Sequence, residues 1–151
     1  LRLFPHGCWI AADAQATLGY LISHPWDHGC PPALGRLVQH LPAVPTCYYI
    51  HDLAIRSSGQ GLGVGHLLVE RAFRSARECD LTSLCLVAVQ GSGPFWRKFG
   101  FRGVPLASSG GAAGLSAYGA NACMMVGTLP DTLANAAAHP DRQPGHRGGR
   151  R

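Results

Sequence analysis

A run of glycines follows a stretch of apolar residues near the middle of the chain. Residues 56–70 read RSSGQGLGVGHLLVE, and residues 48–55 before them read YYIHDLAI. Glycine weakens a helix interior by roughly 1 kcal/mol relative to alanine, so four glycines at a helix start need a reason. The unpaired N–H groups of a helix N-terminus bind phosphate well when no side chain blocks the approach. The spacing predicts a site for a phosphate-bearing ligand, and a plain turn is the alternative.

Two common phosphate-binding motifs do not fit these glycines. A nucleotide P-loop continues with Lys and then Ser or Thr after its last glycine, whereas His66 and Leu67 follow Gly65. A dinucleotide-binding fingerprint fits Gly61 and Gly63, but His66 occupies the position of its third glycine. The loop therefore indicates another kind of phosphate-bearing ligand.

The elements before the glycines are predicted from hydrophobic patterning and turn residues. The expected order is strand 8–12, a turn near Asp13, strand 17–23 closed by Pro25, a short helix around Leu34 to Leu41, and strand 47–55. The last of these is long and apolar enough for a central strand. The glycine loop would then lie where this buried strand turns into a helix.

The most distinct element after the glycines is an amphipathic helix from Gly63 to Cys79, with its apolar residues on one side. The remaining order is strand 81–89, short helix 93–100, strand 101–104, flexible loop 108–114 and a last strand within 120–128. Because short connections join strand 47–55, the helix and strand 81–89, a right-handed parallel crossover is expected. The pattern is that of a mixed α/β domain.

Composition indicates one soluble domain. The 151 residues are 46% hydrophobic, and no apolar run reaches the roughly 18 residues of a membrane span. The six cysteines are scattered without a C-x-x-C pair, which argues against a disulfide framework or a zinc site. No signal-peptide pattern opens the chain, so a cytoplasmic location is the default expectation.

The net charge suits a phosphate-bearing ligand better than a nucleic acid. The formal net charge is +5, and the segment beyond residue 130 carries a net +2 of it. Without a basic face interleaved with aromatic residues, the remaining excess is poor support for nucleic-acid binding. Neither a nucleic-acid partner nor a membrane partner is expected.

The glycine spacing and two other segments resemble the GNAT superfamily of N-acetyltransferases. Gln60, Gly63 and Gly65 match the motif Q/R-x-x-G-x-G/A that binds acetyl-CoA, and Ile55 stands five residues before Gln60. Residues 95–101, FWRKFGF, resemble the family's F-Y-x-K-x-G-F segment, and residues 19–25, GYLISHP, are similar to a family strand. The resemblance covers roughly residues 8–129.

The resemblance implies a fold and a coenzyme site. The fold would be an α/β (α+β) domain with a mixed, mostly antiparallel sheet, a parallel β-α-β crossover, a splayed strand pair and helices on both faces. The splayed strands would leave a cleft in which the pantetheine arm pairs with a strand edge. The residues implied to bind acetyl-CoA or coenzyme A are Leu53, Ala54, Ile55, Gln60, Gly61, Leu62, Gly63, Val64, Gly65, His66, Trp96 and Lys98.

The implied reaction is direct attack of a primary amine on the acetyl thioester. Asp52 is the candidate base because it is a lone acid in an apolar strand, although a structural carboxylate is an equal alternative. Strand alternation would point the adjacent His51 to the other face. Trp96 stands where many family members have a tyrosine that protonates the thiolate, so Ser92 or Tyr118 could orient a water instead, or the thiolate could leave unaided.

Partners and boundaries complete the expectations. The acceptor would be a small-molecule or peptide amine, no metal is needed, and a homodimer is left open. The domain would span residues 1–129, with the family's N-terminal strand and helices short or missing, and residues 130–151 would form a flexible tail rich in Ala, Pro, Gly and Arg. The alternatives are a non-catalytic module that binds acyl-CoA and an interaction domain without a cofactor.

Overall fold

The protein was analysed as a computed structural model, which describes residues 1–105, 115 and 117–130. Short 3₁₀ turns lie at Pro5–Gly7 and Ser57–Gly59. The strands and helices in chain order are β1 (Cys8–Ala12), β2 (Thr17–Trp26), β3 (Cys47–Ile55), α1 (Val64–Glu78), β4 (Ser83–Ala88), α2 (Gly93–Arg97), β5 (Arg102–Gly103) and β6 (Cys123–Thr128).

The strands form one sheet in the order β1-β2-β3-β4-β6-β5. Every neighbouring pair is antiparallel except β3 and β4, which are parallel and are joined by α1. The predicted fold class, a mixed and mostly antiparallel sheet with one parallel crossover, is therefore confirmed. The turn predicted near Asp13 is also present, because the Asp13 carboxylate accepts the N–H groups of Gln15 and Ala16 at 2.8 Å.

Helix α1 forms because its apolar residues recur on one side. Leu68, Val69, Ala72, Phe73 and Ala76 are all buried against the sheet. Full burial of a Leu or Phe side chain contributes roughly 1.5–3 kcal/mol, so this face accounts for much of the attachment of α1. Residues of α2 belong to the same core cluster, which fixes the start of α1 relative to α2.

Strand β2 departs from its prediction, because it continues through Pro25 to Trp26. Proline donates no hydrogen bond and is tolerated where a strand has a free edge. The pairing of β1 with β2 ends at Cys8 and Ile22, so Pro25 lies beyond the end of β1. On its other side it faces Tyr48 of β3.

The prediction of a short helix around Leu34 to Leu41 is wrong. This segment contains a turn at residues 34–35 and no helix. The turn is closed by the Arg36 N–H, which donates to the Ala33 carbonyl, and Gly35 adopts a left-handed φ of 71°. The left-handed conformation of Gly35 interrupts any helix that would include it, and glycine has a low helix propensity.

The face of the sheet away from α1 carries a second, smaller cluster of Cys47, Tyr49, Cys85 and Met124. Burial raises the pKa of Tyr49, so its hydroxyl stays protonated. The loop predicted at residues 108–114 and the tail predicted beyond residue 130 lie outside the described residues, apart from Pro130.

Candidate functional site

The glycine loop ends at the N-terminus of α1, as predicted. Gly63 is the N-cap residue, and no side chain caps the helix. Gly61 and Gly63 have φ angles of 77° and 78°, which residues with a side chain rarely adopt. A Cβ atom added at either position would meet no atom within 4 Å. Within the described residues, the N–H groups of Val64, Gly65 and His66 have no backbone acceptor. The loop therefore presents free donors beside open space.

Gly65 has a different role from the one its spacing suggests. A Cβ atom there would lie 2.8 Å from Ile55 Cδ1 and 3.1 Å from Phe95 Cε2. Glycine at this position thus lets α1 pack closely on β3 and α2. Of the three glycines at positions 61, 63 and 65, only the first two leave open space at the Cβ position, because a side chain at Gly65 would point into the protein.

The sheet opens beside this loop. Strands β3 and β4 pair only at Tyr48 with Leu84, Tyr49 with Cys85 and Ile50 with Leu86. From His51 onward β3 pairs with β2 alone, so every second peptide group of residues 51–55 faces away from β2 without a strand partner. The predicted splay between the two strands is confirmed.

A cavity of about 570 Å³ lies at this opening. Its walls come from β3, β4, α2 and the connection between β2 and β3. Among the candidate site residues named from the sequence, those that line it are His51, Asp52, Leu53, Ser92, Trp96 and Tyr118. The cavity is thus bounded on one side by the unpaired part of β3, where the pantetheine arm is expected.

A β-bulge in β3 overturns the expectation that His51 and Asp52 point to opposite faces. The register passes from Ile22 opposite Asp52 to Ser23 opposite Ile50, which leaves His51 as the extra residue. Such a bulge breaks the alternation of side chains. The Asp52 carboxylate accepts a hydrogen bond from the Tyr20 hydroxyl at 2.7 Å. The His51 ring lies beside the His24 ring. Tyr20 and His24 are an even number of residues apart on β2, so they point to the same side of the sheet, and His51 and Asp52 therefore share that side.

His24 on β2 lies between the Pro25 carbonyl and the His51 ring and is within hydrogen-bond distance of both. Its Nδ1 lies 3.0 Å from the Pro25 carbonyl, and its Nε2 lies 3.4 Å from Nδ1 of His51. Burial lowers the pKa of both histidines, and for His51 the neighbouring Asp52 carboxylate acts in the opposite direction. Both rings are therefore neutral at neutral pH.

The other predicted coenzyme residues lie in three places. Gln60, Leu62 and His66 are exposed in or beside the glycine loop, and His66 lies 3.3 Å from Glu70. Trp96 is 6% exposed and packs edge-on against Phe101, so it is mainly a core residue that reaches the cavity wall. Lys98 is exposed at the far end of α2 and does not line the cavity, whereas Ser92, predicted as a catalytic residue, precedes α2 and lines it.

Three residues of the site were missed by the sequence reasoning. Tyr20 and His24 lie on β2, and Arg36 lies in the connection that follows. The alternation of Tyr20, Ile22 and His24 along β2 was a usable signal for the first two. Nothing in the sequence indicated Arg36, because the connection has no periodicity.

The structure brings three metal-ligating side chains together, which the sequence spacing did not indicate. The ligand atoms of His28, Cys47 and Cys85 lie within 4.8 Å of one another. Both thiols are fully buried in an apolar cluster, and a hydrogen bond to Cys47 and burial raise the pKa of Cys85. Buried thiols of this kind pack as small hydrophobic groups. The expectation that the reaction needs no metal stays a prediction.

A family comparison agrees with this geometry. The sequence model of the acetyltransferase (GNAT) family matches residues 1–101. The chain belongs to the GNAT acetyltransferase family. A search of curated protein sequences gave no match. Within the described residues, none of the helices combines the length and apolarity that a membrane span requires.

Solved structures share the GNAT fold at low sequence identity. Ard1 from Thermoplasma volcanium is 17% identical with a TM-score of 0.59, covering 86% of this chain and 75% of that one. A GNAT-like decarboxylase, GphF, in complex with isobutyryl-CoA is 15% identical with a TM-score of 0.63, covering 84% and 80%. Naa20 from Chaetomium thermophilum, in complex with a bisubstrate analogue, is 17% identical with a TM-score of 0.60, covering 91% and 74%.

Proposed function

We propose that this GNAT protein transfers the acetyl group of acetyl-CoA to a primary amine by direct attack. The observation that carries the proposal is the separation of β3 from β4 after three residue pairs, beside a helix N-terminus with free donors. A long ligand with a diphosphate at one end and an amide-bearing arm at the other fits this arrangement. Coenzyme A has this form.

The proposed contacts of the coenzyme are mainly with the backbone. The diphosphate binds the N–H groups of residues 61–66, where positive φ angles and open space let it approach. The two amides of pantetheine pair with the free peptide groups of Leu53, Ala54 and Ile55, as an added strand would. Gln60, Leu62, His66, Trp96 and Lys98 are proposed to flank the coenzyme through their side chains.

The reacting groups are proposed to meet in the cavity beside the bulge. A main-chain N–H near the bulge stabilises the oxyanion that forms on the thioester carbonyl. Asp52, acting through a water, or the adjacent His51 accepts the proton of the amine, since both residues line the cavity. Ser92 orients a water that returns a proton to the departing thiolate, because Trp96 has no acidic proton to give.

The acceptor class follows from the cost of deprotonation. A lysine amine with a pKa near 10.4 must lose a proton at a cost of roughly 4.6 kcal/mol at pH 7, whereas an α-amine near 7.8 costs about 1 kcal/mol. Peptide α-amines and weakly basic small amines are therefore the proposed acceptors.

The proposal is tested by release of the coenzyme A thiol from acetyl-CoA with a panel of primary amines, alongside calorimetric binding of coenzyme A. Binding together with turnover supports the enzyme. Binding without thiol release from any amine favours the alternative, a non-catalytic acyl-CoA module. No binding at all overturns both and leaves an interaction domain.

A further inference from the structure

A second cavity of about 560 Å³ lies beside β2, beyond the end of β1. Most of its wall is apolar, and the residues that make it so include Phe4, Ile22, Leu37, Val38 and Leu41. Among the described residues that line it, the charged side chains are those of Arg2 and Arg36, and none is a carboxylate. Nothing in the proposed coenzyme site uses this space.

Only two of the residues that line this cavity also line the first one. They are His51 and Arg36. A molecule in the second cavity therefore meets a thioester in the first cavity at the imidazole of His51. The bulge in β3 brings the Asp52 carboxylate to the same side as His51, which a regular strand would not do.

We propose that the second cavity binds the acceptor, a primary amine attached to an apolar group and without a second positive charge, and that it delivers the amine to Nε2 of His51. This inference rests on the proposed acetyl transfer. The apolar wall favours the apolar group. Arg2 and Arg36 repel further cationic groups, which disfavours polyamines and aminoglycosides.

The hydrogen bonds of His24 determine which nitrogen of His51 is available. The Pro25 carbonyl can only accept, so Nδ1–H of His24 donates to it and Nε2 of His24 accepts. Nδ1–H of His51 then donates to Nε2 of His24, which leaves the lone pair on Nε2 of His51. Within the described residues, that atom has no hydrogen-bond partner. His24 is thus a positioning residue for His51.

The reaction balances with this arrangement. Nε2 of His51 takes one proton from the bound ammonium group, and the amine nitrogen then attacks the thioester carbonyl. The carbon–sulfur bond breaks, and the second proton of the nitrogen passes through water to the thiolate, which gives an acetamide and coenzyme A. The charge on the protonated imidazole is balanced by the adjacent Asp52 carboxylate.

The first test fills the cavity. In Ile22→Trp, the KM for the best apolar amine is expected to rise about tenfold or more, with the KM for acetyl-CoA unchanged. Ile10→Trp is the matched control, because Ile10 is a 72% exposed residue on the neighbouring strand and lines neither cavity. Calorimetric binding of coenzyme A to Ile22→Trp checks its fold. An unchanged KM for the amine in a variant that binds coenzyme A would overturn the assignment.

The second test reverses the charge. Arg36→Glu is expected to shift the ratio of kcat/KM for spermidine over phenylalanine amide, an apolar and weakly basic α-amine, by about tenfold toward spermidine. Arg74→Glu makes the same charge change on the exposed side of α1 and is expected to leave the ratio unchanged. A wild-type protein that acetylates spermidine as well as the apolar amine would contradict the inference. If no amine reacts, the proposed function itself fails.

The third test follows the proton. The titratable and charged groups around His51 are His24 and Tyr20 on β2, Tyr49 and Asp52 on β3, Arg36 in the connection, and Arg2 and the Leu1 amino group in the N-terminal segment. His51→Gln is expected to lower kcat about 100-fold and to remove the acidic limb of the pH profile. His24→Gln is expected to lower kcat less and to keep that limb, with coenzyme A affinity unchanged. An unaltered acidic limb in His51→Gln would rule out His51 as the proton acceptor.

Discussion

The glycine loop and the bulged part of β3 lie next to each other but are built on different principles. The loop offers main-chain N–H groups, and its sequence signal is the absence of side chains at Gly61 and Gly63. The bulge offers the side chains of His51 and Asp52. It cannot be recognised from the sequence pattern, because one extra residue without a strand partner reverses the face to which the following side chains point. A backbone site can thus be read from spacing, whereas a side-chain site depends on pairing between strands.

The glycines themselves show the limit of reading by spacing. Gly63 and Gly65 stand two residues apart in one motif, yet one faces open space and the other faces Ile55 and Phe95. The same residue type is therefore proposed to allow ligand access at one position, and it allows close packing at the other. Substitutions at the two positions should affect different measurements.

The largest expected effect is that of Gly63→Glu on coenzyme binding. The carboxylate would occupy the space proposed for the diphosphate and repel it, so coenzyme A affinity is expected to fall by about 100-fold, or about 2.7 kcal/mol. The left-handed φ of 78° adds about 1–2 kcal/mol of strain, which leaves a folded protein. Isothermal calorimetry measures the affinity, and circular dichroism checks the fold.

Gly29→Glu is the matched control for this change. Gly29 also has a left-handed φ, 71°, and open space around its Cβ position, but it lines neither cavity. It should lose the same stability without losing affinity for coenzyme A. Equal affinities in the two variants would remove the diphosphate from the glycine loop.

Gly65→Val should affect stability instead. The added carbons would press on Ile55 and Phe95, and overpacking of this kind costs about 2 kcal/mol in the free energy of unfolding. Arg74→Val on the exposed side of α1 controls for the lower helix propensity of valine, which costs about 0.5 kcal/mol. Urea titration measures both. If Gly65→Val kept its stability and lost coenzyme affinity, Gly65 would serve ligand access after all.

Much of the fold could be predicted from local patterns. The periodicity of α1 and the apolar runs of β3 and β4 are strong local signals, and the parallel crossover follows from their order. The sequence predicts that β2 ends at Pro25, but a strand can include a proline where no neighbouring strand needs its N–H. Whether β1 extends that far depends on the tertiary structure and not on the local sequence. The second cavity and Arg36 were not predictable, since the connection after β2 has no regular structure to give it a pattern.

Asp52→Asn tests how the two side chains of the bulge divide the work. If Asp52 balances the charge on a protonated His51, removing the carboxylate should lower kcat about tenfold, or 1.4 kcal/mol. The acidic limb of the pH profile should remain, and it should move to lower pH, because the carboxylate raises the pKa of His51. Loss of that limb in Asp52→Asn, with the limb intact in His51→Gln, would instead make Asp52 the proton acceptor.

The smallest expected effect is a pH dependence of stability that arises from the histidines at the bulge, His24 and His51, and not from the glycine loop. Burial lowers the pKa of His24 and His51 below the ordinary 6.5. Between the lowered and ordinary values the unfolded chain binds more protons than the native one, so the free energy of unfolding falls as the pH drops below about 6.5.

Urea titrations at about pH 7.5 and about pH 5.5, on either side of the ordinary histidine pKa, should show a loss of about 1 kcal/mol. The double variant His24→Gln with His51→Gln should lose less over the same interval, because it lacks both groups. Gly63→Glu should keep the wild-type decrease, since the glycine loop contributes no titrating histidine to the core. If the free energy of unfolding fell equally in the double variant, the proton uptake would belong to other groups, and His24 and His51 would not cause the pH dependence.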